Sequence, residues 1–338
     1  MKKQQVLNCS FSSWYQLFKQ ITIESKIISL PKEFIDYLNE DGIVLPEGDH
    51  SRNDEADDEQ EENDEQRQVP SFPDLQQSIH NALHSLGGAV FPKLNWSCPK
   101  DASWIACGNT LKCHTPNDII LLLKSSDFVT HDVTCPFDSC EDDETASDEV
   151  QFELILRKWV DVSQAMEFRV FVKHDNIIGI SQRDPTTYFP VLQSMKEHIG
   201  GRICNFHRKY IQGKFHDEDY VFDVYFKNEV KKIMLLDFNP FGEVTDGLMF
   251  EWSELCGEEL QLEDGDAAED DTPDLTDLVR IVESGTSVQP SPYNSYRVPT
   301  DVIDIATGMD SNKLIDFLQL EARQQGNEET ETNNEENR

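Results

Sequence analysis

The sequence predicts an α+β fold whose sheets are mostly antiparallel. Segments rich in β-branched and aromatic residues alternate with short stretches of helical periodicity. Two of the strand-like segments, 220–226 and 232–238, are separated by a short polar turn, as in a hairpin. Neither a P-loop pattern nor the glycine fingerprint of dinucleotide-binding folds occurs, so a doubly wound parallel sheet is not indicated.

Two helical regions precede the first predicted strand. Residues 6–40 place apolar side chains three and four positions apart, as on amphipathic helices, and predict a packed N-terminal segment. A further helix begins at Pro73 and Asp74, residue types that suit a first helical turn, and ends before Gly87. Between them, residues 47–68 have hardly an apolar side chain and predict a disordered acidic linker.

The rest of the chain alternates strands with helices. Residues 117–124 predict a helix capped by Thr115 or Asn117, and another helix begins at Val191 and continues toward Tyr210. β-Branched and aromatic content predicts strands over 89–93, 152–160, 168–172, 176–181, 220–226 and 232–238. A Pro- and Ser-rich stretch, a last helix and a polar tail are predicted at 289–299, 312–323 and 324–338.

The charge of the chain is unevenly distributed. Its 65 acidic and 29 basic side chains give a formal charge of −36. Four tracts hold −33 of that charge, and they are 47–65, 138–149, 251–277 and 321–338. The remaining body is close to neutral. This acidity argues against nucleic acid and an anionic membrane surface as direct partners, because both are held by clustered lysine and arginine.

Other sequence patterns narrow the class of protein. No apolar run reaches the length of a signal peptide or a membrane span. The eight cysteines include no C-x-x-C pair, and the nine histidines form no H-E-x-x-H or triad pattern. The sequence therefore predicts a cytoplasmic protein with reduced thiols, and it gives little support to a zinc protein or a hydrolase.

The strongest chemical signal lies at the end of the last predicted strand. Strand alternation places Asp237 and Asn239 on one face with their oxygens adjacent, and it turns Leu236 and Phe238 toward the core. Two hard oxygen ligands at this spacing are what Mg²⁺ takes from a protein when phosphate and water supply the rest. The alternative is that the two polar side chains only start the turn that follows.

A third oxygen ligand lies on the preceding strand. Asp223 interrupts the apolar segment 220–226, where an unpaired carboxylate is costly. A hairpin register with a three-residue loop sets Asp223 opposite Asp237, although the sequence leaves the register open. Three oxygen ligands then converge on one face. Asp246 is either a fourth ligand or a solvated loop residue.

Fixed positive charge lies on the predicted strands. Lys93, Arg157 and Lys158 are within strand-like segments, and the guanidinium groups of Arg169 and Arg183 suit bidentate contact with phosphate. Taken singly, each of these cations is better explained by ion pairing inside the core. Five cations together with three oxygen ligands favour a Mg²⁺–nucleotide site that lacks a glycine-rich loop.

Several long motifs resemble one known family. The motifs are VFPKLNWS (90–97), LKSSDF (123–128), LRKW (156–159), EFR (167–169), IGISQRD (178–184) and LDFNPFGEVTD (236–246). On these residues the chain is similar to the cell division cycle protein 123 family. The resemblance covers nearly the whole chain, from residues 11–15 to residues 313–318.

The resemblance implies an ATP-grasp fold, in which two α+β lobes enclose a cleft for ATP and Mg²⁺. It also implies an assembly chaperone of eukaryotic translation initiation factor 2, which binds the C-terminal part of the free gamma subunit and promotes joining of alpha and then beta. Carried over by position, the resemblance implies that Lys93 and Arg183 contact phosphate and that Asp223, Asp237 and Asn239 hold Mg²⁺. Further positions that line or close over the cleft are Asn95, Asp101, Ala102, Arg157, Lys158, Trp159 and Val160.

The predicted organisation has seven parts. They are a packed N-terminal segment (1–46), the acidic linker (47–68), a first ATP-grasp lobe (69–160), a second lobe with the metal site (161–250), an acidic insert (251–280), a C-terminal extension packing on the body (281–323) and a disordered tail (324–338). Two other functions stay open: an ATP-grasp ligase that forms an acyl phosphate, and a pseudoenzyme scaffold whose ATP is structural. The chaperone and the ligase need the same positioning and charge stabilisation, so the site residues do not separate these two.

Overall fold

The computed structural model describes residues 1–46, 70–106, 108–142, 150–227, 232–257, 278–286 and 288–289. These residues belong to one compact unit, Met1–Ser291. The acidic linker 47–68, most of the acidic insert 251–280, the helix 312–323 and the tail 324–338 lie outside the described residues. The fold that follows is therefore that of the described part of this unit.

Helices and strands alternate along the chain, which confirms the α+β class. In chain order they are α1 (Lys3–Asn8), α2 (Phe11–Phe18), β1 (Ser25–Ser29), α3 (Lys32–Asn39), α4 (Pro73–Leu86), β2 (Val90–Lys93), α5 (Pro116–Lys124), α6 (Asp127–Thr134), β3 (Glu153–Lys158), β4 (Glu167–Lys173), β5 (Asn176–Gln182), α7 (Pro190–Gln193), α8 (Lys196–Tyr210), β6 (Tyr220–Lys227), β7 (Lys232–Pro240), α9 (Trp252–Cys256) and β8 (Val279–Arg280). Short 3₁₀ turns lie at Ser103–Ile105 and Gln164–Met166.

The strands form two sheets. A three-stranded sheet has the order β1-β3-β2, and a five-stranded sheet has the order β7-β6-β4-β5-β8. Neighbouring strands are antiparallel except for β5 and β8, which are parallel. The prediction of mostly antiparallel sheets is confirmed. Strand β1 is a departure, because helical periodicity was expected across this N-terminal segment, whereas β1 pairs with β3 over five residues.

Helix ends follow the local chemistry of the sequence. α4 begins with proline and ends at Gly87, which adopts the left-handed conformation at φ 97°. Of the two candidate caps for α5, the structure uses Thr115, whose Oγ1 accepts from the N–H of Asp118 at 3.1 Å. The continuous helix expected from Val191 is wrong, because α7 ends at Gln193 before α8 begins.

A tight turn joins β4 to β5. His174 and Asp175 have φ values of 51° and 60°, so both lie in the left-handed region that a two-residue hairpin of type I′ requires. Asp175 stabilises this conformation, since its Oδ2 accepts from the N–H of Gly213 at 2.8 Å and its carbonyl accepts from Gln212 at 3.0 Å. The turn is thus anchored to the segment that follows α8.

Apolar packing gives the two faces of the five-stranded sheet different characters. One face packs against α2 and α8 through a cluster that includes Trp14, Phe168, Ile203, Phe222 and Phe238. A separate cluster joins the three-stranded sheet to α3, α4 and α5. On the opposite face of the large sheet, Phe171, Val221, Phe250 and Leu255 cover one end only. The other end of that face is free for charged residues.

No helix in the described ranges is long and apolar enough to cross a bilayer.

Candidate functional site

The strand pair β6–β7 carries the predicted carboxylates. Val224 faces Leu235, whereas the next residue of β6, Asp223, faces Asp237, so β7 contains one extra residue at this point. That residue is Leu236, and such a β-bulge leaves its backbone groups outside the regular ladder. The predicted alignment of Asp223 with Asp237 is confirmed, and a bulge produces it.

The bulge also decides which side chains share a face. Asp237 and Asn239 are two residues apart on β7 and lie on one face, opposite to that of Phe238, which is buried in the core. The expectation that Leu236 also faces the core is wrong. As the extra residue of the bulge it leaves the alternation, and its side chain is only half-buried.

Asp223 is held by arginine. Its Oδ1 accepts from Nε of Arg169 at 2.8 Å and its Oδ2 accepts from Nη2 of the same residue at 2.9 Å. Nε of Arg183 lies 3.6 Å from Oδ2. Burial alone would raise the pKa of Asp223, but the two guanidinium groups outweigh it and lower the pKa to about 2. The Asp223 carboxylate is therefore ionised at neutral pH. In this structure Arg169 forms an ion pair inside the core, the alternative that the sequence left open for each cation.

Lys93 reaches the second carboxylate from the three-stranded sheet. Its side chain is nearly inaccessible, at 1% exposure, and its Nζ forms a salt bridge with Oδ2 of Asp237. Oδ1 of Asp237 accepts from the N–H of Phe238 at 3.1 Å. The Asp237 side chain keeps 21% exposure, so this carboxylate remains open to a ligand.

Arg157 binds the backbone freed by the bulge. Its Nη1 donates to the carbonyl of Leu236 at 2.7 Å, and its Nη2 donates to Oγ1 of Thr22 at 3.1 Å. Burial lowers the pKa of Arg157. The Arg157 guanidinium thus connects the two sheets by hydrogen bonds to uncharged acceptors. Among the described residues, no carboxylate is in direct contact with it.

Two buried polar atoms at this place have no hydrogen-bond partner in the described part of the chain. They are Nε of Arg157 and Nδ2 of Asn239. Leaving a buried donor unsatisfied costs roughly 1–3 kcal/mol, so native proteins keep few of them. Both atoms are donors, and an anionic or oxygen-rich ligand would satisfy them.

We name the set the charged junction, because it lies where the two sheets meet. Its members are Lys93, Arg157, Arg169, Arg183, Asp223, Asp237 and Asn239. Four cations stand against two carboxylates, so the junction carries excess positive charge. Glu167 lies nearby, and burial raises its pKa. The residues fit an anion accompanied by a hard cation, whose ligands would be two carboxylates and an amide oxygen.

A metal ion bound at the charged junction would need ligands from a bound anion as well as from the protein. Among the described residues, no group of three or more histidine, cysteine, aspartate and glutamate side chains forms a metal-binding cluster. The predicted set contains only Asp223, Asp237 and Asn239, so phosphate and water would have to supply the remaining ligands. That is the usual coordination of Mg²⁺ in nucleotide sites.

Three other predicted positions have contacts within the chain. Asn95 donates to the carbonyl of Gln151 at 3.0 Å and accepts from the N–H of Glu153 at 2.9 Å. Asp101 accepts from Oγ of Ser126 at 2.6 Å and from the N–H groups at the start of α6. Ala102 is fully buried. These contacts stabilise the loops after β2, and a role of the three residues in nucleotide binding stays a prediction.

The last predicted positions lie at the end of β3. Lys158 is exposed, and its N–H donates to the carbonyl of Glu24 at 2.9 Å. Trp159 donates from its indole Nε1 to Asp161 at 2.8 Å, and Val160 is half-buried. None of these contacts connects the three residues to the carboxylates, so a role for them in lining the cleft also stays a prediction.

Sequence reasoning missed several contributors to the charged junction. Lys100 is close enough to act on the carboxylates, since its charge helps to lower the pKa of Asp223 and partly offsets the effect of burial on the pKa of Glu167. Thr22 and Phe11 contact the buried cations from the N-terminal segment. No local pattern marks these residues, because their role arises only when distant segments meet.

Fold and site together define an α+β protein with a cation-rich junction between two mostly antiparallel sheets. The family model described as D123 matches residues 14–306. The chain therefore belongs to the D123 family, and the resemblance to the cell division cycle protein 123 family is confirmed.

Individual relatives match along nearly the full chain. One is the translation initiation factor eIF2 assembly protein of Xenopus tropicalis, 48% identical over 337 residues, with 96% of this chain and 98% of the relative covered. The protein of the same name from Danio rerio is 43% identical, with 99% of both chains covered. Among solved structures, Cdc123 from Schizosaccharomyces pombe matches with a TM-score of 0.65 and 39% identity, over 76% of this chain and 93% of that chain.

Proposed function

We propose that the chain is a cytoplasmic assembly factor of eukaryotic translation initiation factor 2 that works with bound ATP and Mg²⁺. It binds the C-terminal part of the gamma subunit and promotes formation of the alpha-beta-gamma heterotrimer. The assembly role is supported by relatives that bear the name eIF2 assembly protein, such as those at 48% identity over 96% of this chain and 43% identity over 99% of it. Such coverage leaves little of the chain for a different activity.

Nucleotide binding is supported by one observation above all. The charged junction buries more cations than carboxylates and leaves the donors Arg157 Nε and Asn239 Nδ2 unsatisfied. A triphosphate supplies the missing negative charge and the missing acceptors together. In this proposal the two sheets belong to the two lobes of an ATP-grasp fold, with the phosphates at their junction.

The residues divide into two roles. Asp223, Asp237 and the amide oxygen of Asn239 would hold Mg²⁺, which neutralises phosphate charge when bound. Lys93 and Arg183 would bind phosphate oxygens. Lys93 now pairs with Asp237, so ligand binding requires the ammonium to exchange one anionic partner for another. The salt bridge thus holds both side chains in place before a ligand enters.

Calorimetric titration with Mg-ATP tests the site. We expect Lys93→Ala and Asp237→Ala to weaken binding by at least about tenfold, since each removes a direct ionic contact. The matched control is Lys26→Ala, which removes an exposed lysine from β1. Thermal melting of each variant establishes that it is folded. Equal affinity of all four proteins for Mg-ATP would contradict the assignment of the junction.

Capture of the purified gamma subunit tests whether nucleotide binding and gamma-subunit binding are coupled. We expect the same two variants to retain less gamma subunit than wild type, and Mg-ATP to increase capture by wild type only. Undiminished capture by variants that no longer bind nucleotide would show that the two activities are independent. Release of ADP that depends on an added acid and amine would instead favour a ligase.

A further inference from the structure

The N-terminal helix α2 presents one aromatic ring to two buried cations. Nζ of Lys93 lies 5.6 Å from the ring centroid of Phe11, and Cζ of Arg157 lies 5.4 Å from the same centroid. Both distances are within the range of a cation–π interaction. Phe11 is fully buried, so water does not screen these contacts.

The two cations would otherwise repel each other. In the β2–β3 register Lys93 faces Ile155, and Arg157 is two residues further on the same strand. Lys93 and Arg157 are therefore diagonal neighbours on one face of the three-stranded sheet. Of these two cations only Lys93 has a salt bridge within the described part of the chain, and its partner is Asp237. The negative face of an aromatic ring reduces the cost of placing two like charges side by side.

Phe11 is itself held firmly. Its N–H donates to the carbonyl of Asn95 at 2.9 Å, directly after the strand that carries Lys93. Its ring packs against Trp14 and Tyr15, with centroids 4.6 and 5.0 Å away. Trp14 also contacts Phe238, at 5.4 Å, between the two predicted metal ligands of β7. One helix therefore connects the cations of one sheet to the carboxylate strand of the other.

We propose that Phe11 is a positioning residue of the nucleotide site, whose ring face holds the Lys93 and Arg157 side chains ready for the phosphates. The inference rests on the proposed function, because it assumes that these cations bind a triphosphate. It assigns to the N-terminal segment a part in ligand binding that its sequence does not reveal.

Fluorination of the Phe11 ring distinguishes an electrostatic role of the ring from a role in packing. Phenylalanine analogues with one, two and three ring fluorines are placed at position 11 of the full-length chain, and Mg-ATP affinity is measured by calorimetry. Each fluorine weakens the negative potential of the ring face with little change in size. We expect the dissociation constant to rise stepwise with fluorine number, reaching about tenfold for the trifluoro ring. Melting temperatures should change little across the series.

Substitutions at two positions provide the comparison. Phe11→Leu should weaken Mg-ATP binding at least as much as the trifluoro ring. Phe18→Leu is the matched control, because Phe18 lies on the same helix and packs on Phe238 at 5.3 Å. It should lower the melting temperature and leave affinity within about twofold of wild type.

The outcomes are distinct. A flat fluorine series, with or without weaker binding by Phe11→Leu, would overturn the inference and leave a packing role only, while the proposed function would stand. Failure of wild type itself to bind Mg-ATP would overturn the proposed function and this inference together.

Discussion

A buried polar network lies on each face of the five-stranded sheet, and the two networks are built differently. On the core face, Nε2 of His207 contacts the hydroxyl of Tyr220 at 2.8 Å, and that hydroxyl donates to Oδ1 of Asp175 at 3.1 Å. Because the hydroxyl proton is used for Asp175, Nε2 of His207 must be the donor in its contact with Tyr220. Burial lowers the pKa of His207 to about 4, so the ring is neutral at pH 7. Asp175 is satisfied in turn by Gly213. Each of these three hydrogen bonds therefore pairs a donor with an acceptor.

On the opposite face the charged junction is not closed in this way. Arg169 and Asp223 satisfy each other, but Arg157 and Asn239 each keep a buried donor without a partner among the described residues. The first network holds α8 against the hairpin turn, as a fully paired polar network does. The second holds charged groups in position and leaves capacity for a ligand. The donors left unsatisfied at Arg157 and Asn239 distinguish the charged junction from the network around His207.

Arg169→Met tests how much of the junction is structural. The variant leaves Asp223, which is 8% exposed, with the more distant Arg183 at 3.6 Å. A buried carboxylate that loses its main partner costs about 3 kcal/mol. We expect the free energy of unfolding, measured with guanidinium chloride, to fall by about that amount.

The double variant Arg169→Met with Asp223→Leu provides the check. Replacing both members of a buried pair by apolar groups is often nearly neutral, so the double variant should recover most of the lost stability. A double variant as unstable as the single one would mean that the ion pair is not what stabilises this face.

Much of the fold could be predicted from local patterns. Proline and glycine mark the ends of α4, and β-branched runs mark the strands, because these features act within a few residues. Strand β1 could not be predicted, since it is short and its conformation depends on pairing with β3, more than a hundred residues away. The turn at His174 and Asp175 has no glycine, and its left-handed backbone depends on contacts with residues after α8.

The site was predictable in part for a related reason. Asp223, Lys93 and Asp237 stand out because charges within apolar strands are costly unless they are paired or functional. Their alignment was open until the bulge at Leu236 fixed the register. Phe11 carries no such mark, since a buried phenylalanine on a helix is ordinary and only the folded structure brings it to the two cations.

Acid titration separates the two networks. Burial lowers the pKa of His207 from 6.5 to about 4, so the unfolded chain binds a proton more readily than the folded chain. Stability is then complete above pH 6.5 and falls as the pH decreases toward 4, by about 3 kcal/mol in all. The pKa of Asp223, in contrast, is lowered to about 2. Protonation of that carboxylate therefore destabilises the fold only below about pH 4.

His207→Gln gives the control for this titration. Glutamine offers an N–H to the Tyr220 hydroxyl but does not titrate. Unfolding free energies measured between pH 7 and pH 4 should show a smaller decline for the variant than for wild type. Parallel declines in the two proteins would assign the loss to other groups.

Thr22→Val is the smallest expected change and examines the edge of the charged junction. Oγ1 of Thr22 donates to the carbonyl of Leu235 at 2.7 Å and accepts from Arg157 at 3.1 Å. Valine keeps the shape and removes both hydrogen bonds, which should cost about 2 kcal/mol in unfolding free energy. Thr22→Ser keeps the hydroxyl and should lose less. Thr22 binds only one nitrogen of the Arg157 guanidinium, Nη2. Mg-ATP affinity should therefore fall less for Thr22→Val than for Lys93→Ala. An affinity loss as large as that of Lys93→Ala would place the phosphate contact at Arg157 instead.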